Sequence, residues 1–182
     1  MRRTKWAAAA IAVIALGTVG CGTSDTGIGV AATTAPPSPR PQGTGPLTKD
    51  VVRADLDTSV ADSGVPANDP YYARTPDRAP AGSRLSCSVT YKGFGTESTP
   101  VDLAHYDGLV GELRERDWRQ SGDRRERKDA DGVIGVVSAV LKQRGWTMAA
   151  EYRITATGGV ITLVAFDDAC VKKNAAGTGP LG

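Results

Sequence analysis

His105, the adjacent carboxylates Asp167 and Asp168, and a mixed-charge run from Glu112 to Asp131 are the parts of this 182-residue chain whose residue types could do chemistry. A general base is most often a histidine held by a second polar group. His105 is the only histidine, and Asp107 follows it by two positions, a spacing that does not bring side chains together on a helix. It reads as a surface or boundary residue. Asp167 and Asp168 could bind a cation or serve as the two carboxylates of a hydrolase, but neighbours on a strand point to opposite faces. They read as solvated charges at a strand end. The chain has no G-x-S-x-G elbow, H-E-x-x-H pair or phosphate-cradling glycine loop, so the sequence assigns no catalytic, cofactor or metal residue. The Glu112–Asp131 run holds seven basic and seven acidic residues, the pattern of a solvated, ion-paired surface. Within it Arg124, Arg125, Arg127 and Lys128 form a local basic knot, a candidate interaction surface for an acidic envelope protein or an anionic wall polymer.

The elements that must position these residues can be read from periodicity. Thr48 is an N-cap, Leu47 and Val52 a hydrophobic staple, and Val52, Leu56 and Val60 share a stripe, which predicts a helix over about 49–62. Pro66, Pro70, Pro76 and Pro80 predict a long surface loop over 65–83. Leu85, Cys87, Val89 and Tyr91 alternate with polar residues as a strand with Cys87 inward. Thr99 as N-cap, Pro100 at the first helical position and Asp102 in a capping box open a second helix, whose stripe is Leu103, Tyr106, Val110 and Leu113. Residues 133–143 admit a strand or a short buried helix; their β-branched content favours the strand, followed by a turn at Arg144-Gly145 and a second strand from Trp146 to Tyr152. A turn at Thr157-Gly158-Gly159 leads into a central strand over 160–166. The expected fold is α+β, two helices packed on one face of an antiparallel sheet of about four strands. With only two phenylalanines, Trp118 and Trp146 read as core anchors rather than a binding platform.

Arg2, Arg3 and Lys5 precede an apolar run from Trp6 to Val19, shorter than the roughly 20 residues of a spanning helix, so residues 1–20 read as a signal peptide. Thr18, Val19, Gly20 and Cys21 resemble the lipobox of bacterial lipoproteins, with threonine where leucine is usual. The resemblance implies diacylation at Cys21, cleavage before it, and attachment to the outer face of the cytoplasmic membrane. Cleaved secretion and an uncleaved anchor are the alternatives. Each buried acyl methylene contributes about 0.8 kcal/mol, so two or three chains give lasting attachment. If Cys21 carries lipid, Cys87 and Cys170 are left as a pair in an oxidising compartment, the alternatives being free thiols or a zinc site. Removing residues 1–20 converts the net charge of +2 into −1, which gives no electrostatic case for nucleic acid.

Residues 21–46 read as the lipidated cysteine and a Gly/Thr/Pro-rich tether, 47–171 as one domain, and 172–182 as a frayed tail. The alanine-rich signal, the tether, Lys142-Gln143-Arg144-Gly145-Trp146-Thr147 and Asp167-Asp168-Ala169-Cys170 together resemble small actinobacterial extracytoplasmic lipoproteins that carry no assigned activity. That resemblance implies a cell-envelope location and a small α+β domain, and supplies no catalytic residue. The expected function is a non-enzymatic binding or adaptor module; the alternatives are an envelope hydrolase using Asp167 and Asp168, or a secreted protein inhibitor.

Overall fold

The computed structural model describes residues 44–156 and 158–177; the stretches read as signal peptide and as tether up to residue 43, Cys21, Thr157 of the expected turn and residues 178–182 lie outside them. The first helix, α1 (Lys49–Asp62), begins as its capping signal dictates: the Thr48 hydroxyl accepts from the Val51 amide at 3.4 Å, and Val52, Leu56 and Val60 are buried.

The expected loop over 65–83 instead contains a helix, α2 (Pro70–Arg78). The Asp69 carboxylate accepts from the amides of Tyr71 (2.9 Å) and Tyr72 (3.4 Å), and Pro70 sits at the first helical position, where its missing N–H costs nothing. Pro76 lies inside the helix and cannot donate to the Tyr72 carbonyl four residues earlier. The Thr90 hydroxyl donates to that carbonyl instead, at 2.6 Å.

A 3-10 turn at Leu85–Cys87 replaces the start of the expected first strand, and β1 runs from Ser88 to Phe94 with Val89 and Tyr91 inward. α3 (Leu103–Glu115) starts later than Thr99 and Pro100 predict. Its N-cap is Asp102, whose carboxylate accepts from the His105 amide at 3.0 Å, while Thr99 closes a turn onto Thr96.

The sheet has six strands, not about four, and every pairing is antiparallel. The additions are two short strands from the charged run, β2 (Arg119–Gln120) and β3 (Arg125–Lys128), both paired to β4 (Ile134–Gln143). β4 confirms the strand reading of 133–143. A two-residue turn at Arg144 (φ 38°) and Gly145 (φ 84°) joins it to β5 (Trp146–Thr155). β6 (Gly158–Asp167) then pairs with β5 on one side and β1 on the other, giving the order β1-β6-β5-β4-β2. A fourth helix, α4 (Asp168–Gly177), continues the chain through Lys172 and Lys173, where composition predicts a tail. Cys87 and Cys170 form a disulfide with their Cα atoms 5.6 Å apart, joining the turn before β1 to α4.

One cluster makes the core. It contains Val52, Leu56 and Val60 of α1, Tyr106, Leu109, Val110 and Leu113 of α3, and alternate strand residues such as Val89, Val137, Leu141, Met148, Ile161 and Leu163. Trp118 and Trp146 anchor it with their polar ends satisfied: Trp118 Nε1 donates to Asp55 at 3.1 Å, and Trp146 Nε1 to the Leu47 carbonyl at 2.8 Å. The outer edge of β1 is occupied by Asn68, which donates to the Thr90 carbonyl (2.8 Å) and accepts from the Lys92 amide (3.0 Å), and by Asp69, whose amide reaches the Lys92 carbonyl (2.9 Å). Among the described residues no helix is long and apolar enough to cross a membrane.

Candidate functional site

β4, β5 and β6 alternate, and the residues between their core positions are half-buried or exposed. The pairing registers set them in rows across the sheet. Arg119 stands opposite Lys142, with Thr147 beyond; Arg125 is opposite Ser138, then Glu151 and Thr162; Arg127 is opposite Val136, then Arg153 and Val160. Five cations from four strands therefore share one face. Its floor is built from small residues. Ser138, Val140, Ala149 and Glu151 line a depression of about 370 Å³, walled by Ser121, Gly122, Asp123 and Arg125. A second depression of about 200 Å³, lined by Arg125, Glu126, Arg127, Val136, Ser138, Glu151 and Arg153, adjoins it through their shared residues; Glu126 itself pairs with Arg124 at 2.9 Å.

The charges in this trough are not balanced. Arg153 pairs with Glu151 at 2.9 Å, and Arg119 approaches Asp117 only at 3.6 Å with both side chains largely exposed. Among the described residues Arg125, Arg127 and Lys142 make no ion pair. Arg119 directly opposite Lys142 is a like-charge cross-strand pair, which disfavours the fold by a few tenths of a kcal/mol to about 1 kcal/mol.

The basic knot seen in the sequence is divided by the strand period. Arg125 and Arg127 point into the trough, whereas Arg124 meets Asp107 of α3, lies 2.9 Å from Glu126, and stands over the Tyr106 ring at 5.8 Å. Arg124 is a packing cation. Lys128 follows a register shift after Arg127 and pairs with Ile134 at the end of the sheet. Burial pushes the Tyr106 hydroxyl up to about 12, so it remains a donor to the Ala150 carbonyl at 3.4 Å. Sequence reasoning missed Arg119, Lys142 and Arg153 as partners of Arg125 and Arg127; the signal was the alternation of β4 and β5, read together with their register.

Asp167 and His105 serve the fold, and Asp168 lies in the first turn of α4. The Asp167 carboxylate accepts from the amides of Ala169 (2.9 Å) and Cys170 (3.0 Å), capping the start of α4. His105 Nδ1 lies 2.7 Å from Asp102 Oδ1, completing the α3 cap, and the His105 backbone amide, together with this side-chain contact, holds the Asp102 carboxyl below its usual range. A depression of about 210 Å³ lined from α1, α2 and β1 has charged walls, but its Arg53 and Asp77 already pair at 3.2 Å, and Lys49 of α1 pairs with the same Asp77 at 2.9 Å. Among the described residues no group of three His, Cys, Asp or Glu side chains could hold a metal ion. Cys21 lies outside the described residues. No protein family, curated protein or solved structure matches this chain.

Proposed function

We propose that this chain is a lipid-anchored, extracytoplasmic binding module, held at the membrane by Cys21, that presents the trough face of its sheet to a partner in the cell envelope. The reading takes α1 and α3 as the layer over the core face, which leaves the trough face for contact. The observation that carries it is the set of cations Arg125, Arg127 and Lys142, without an ion pair among the described residues, on the sheet face that holds the two depressions: Arg125 and Arg127 line them, and Lys142 follows on the same face of β4. A protein holds charges of one sign together at a cost to its own stability, and a partner of opposite sign recovers that cost. The hydrolase alternative loses its support at Asp167, whose carboxylate is engaged by two amides of α4.

Two measurements test the proposal. Cys21→Ala abolishes incorporation of labelled fatty acid; a label retained on that variant rejects the anchor. A photo-cross-linking residue at Ala149, on the trough floor, gives an envelope adduct in whole cells, and the same residue at exposed Ala54 on α1 does not. Equal adducts at both positions, or none at Ala149, reject the trough as the binding face.

A further inference from the structure

The geometry points to a linear phosphodiester-type polyanion as the occupant of the trough, a proposal that rests on the binding-module reading above and gives its partner a chemistry. The cations are laid out along one direction. Arg119 and Lys142 stand at one end of β4, Arg125 beside Ser138 in the middle, and Arg127 with Arg153 at the Val136 row. From Val136 to Lys142 is six residues of strand, about 20 Å. Arg125 and Arg127, two apart on one strand, are separated by about 6.6 Å. This is a lane of positive charge that runs along β4.

Three features select the occupant. β4 is hydrogen-bonded on both sides, to β5 and to β2 and β3, so a peptide cannot add there as an extra strand. Recognition must go through side chains alone, which favours a ligand with a charge on every repeat. Arg125 borders both depressions, over the small residues Ser138 and Ala149, and Arg127 and Arg153 border the smaller one; a concave lane of this kind suits a chain better than a flat bilayer surface. Four of the five are arginines, whose planar fork meets paired oxygens in a bidentate manner, and Ser121 and Ser138 place hydroxyl donors in the same trough. A phosphodiester offers two unesterified oxygens on each repeat to such donors. The like-charged Arg119 and Lys142 would be bridged by one phosphate, turning a repulsive pair into a site.

The charge is segregated rather than general. Residues 44–177 hold eighteen basic and nineteen acidic side chains, so a lane with five cations, against Glu151 on its floor and Asp117, Asp123 and Glu126 at its margin, leaves the rest of the domain net acidic. Non-specific attraction of the whole protein to a polyanion is therefore weak.

The test titrates the detergent-solubilised full chain with inorganic polyphosphate of defined length at several salt concentrations. Binding is expected, its affinity falling steeply with salt as counterions are released. Arg125→Gln with Arg127→Gln is expected to weaken it at least about tenfold, as loss of charge-assisted contacts implies. Arg78→Gln with Arg84→Gln removes the same charge elsewhere and is expected to leave it unchanged. Lys142→Gln is expected to weaken binding while keeping or raising the melting temperature, a pair of effects that a folding defect cannot produce. Equal loss in the Arg78/Arg84 control, or equal affinity for polyglutamate or phosphatidylglycerol vesicles, overturns the assignment of a phosphate polymer. No binding of polyphosphate at low salt overturns it as well, and the Ala149 cross-link then still decides whether the trough binds a partner of another kind.

Discussion

On β4, Val137, Ala139 and Leu141 are buried in the core while Val136, Ser138, Val140 and Lys142 between them line or border the trough, so one strand serves two surfaces that differ in every property except backbone. On the core side each residue is fixed by many neighbours, and deleting atoms leaves a cavity. On the trough side the residues touch few others and have freedom to carry charge. Stability and recognition are thus separated by a single residue step, and substitutions can be sorted by parity alone.

The largest test compares adjacent positions on β6. Leu163→Ala, from a fully buried site, is expected to cost about 3 to 4 kcal/mol, and Val164→Ala next to it under about 1 kcal/mol, by chemical denaturation. Similar costs at both would show that the two faces are equally packed. Gly159 sharpens the core side, because a Cβ there would fall on the Val101 carbonyl oxygen. Gly159→Ala is expected to cost about 2 kcal/mol, and an unchanged melting temperature would mean the Val101 segment moves freely. Thr90→Val, on the trough side of β1, is expected to cost about 1 to 2 kcal/mol by leaving the Tyr72 carbonyl without its donor, and so marks where that face becomes structural. Arg119→Gln is expected to stabilise by up to about 0.5 kcal/mol through relief of the Lys142 repulsion. Any loss of stability there contradicts the unbalanced charge.

The smallest effect lies outside both faces, at Asp77. Its hydrogen bond from Lys49, with the nearby Arg53 cation, holds the Asp77 carboxyl below its usual range against a small opposing effect of burial. A lowered folded-state pKa gives stability that is complete above the ordinary carboxylate value and is lost as pH falls through the folded one. Asp77→Asn should therefore lower stability by no more than about 0.5 kcal/mol at neutral pH, and the difference should vanish in acid. A difference that persists at low pH would assign the effect to packing.

How far the sequence could be read follows the same division. α1, β4, β5 and β6 were legible because their core residues recur at the helix or strand period. The disulfide was legible through the lipobox resemblance, which set Cys21 aside. α2 was hidden because two of its four neighbouring prolines lie within the helix itself, and the group that makes Pro76 tolerable, Thr90, is 18 positions away from the carbonyl it serves. β3 was hidden because all four of its residues are exposed, so no period marks them. α3 started late because Asp102 outcompetes Thr99 once His105 can complete its cap. The candidate site was half legible: Arg125 and Arg127 were singled out, but grouped with Arg124 by proximity in the chain when the true neighbours, Lys142 and Arg153, come from other strands.

The two edges of the sheet bear on how these molecules behave when crowded. At β1 the amide of Asn68 and the backbone of Asp69 already occupy the hydrogen-bonding positions that a strand from another molecule would take. At the other edge β3 is four residues long, interrupted by a register shift, and composed of Arg-Glu-Arg-Lys, so an approaching copy meets like charge and a mismatched ladder. Neither side can seed a growing ribbon. Copies packed densely side by side would not join edge to edge into a continuous sheet, and strand pairing between them would not close the trough.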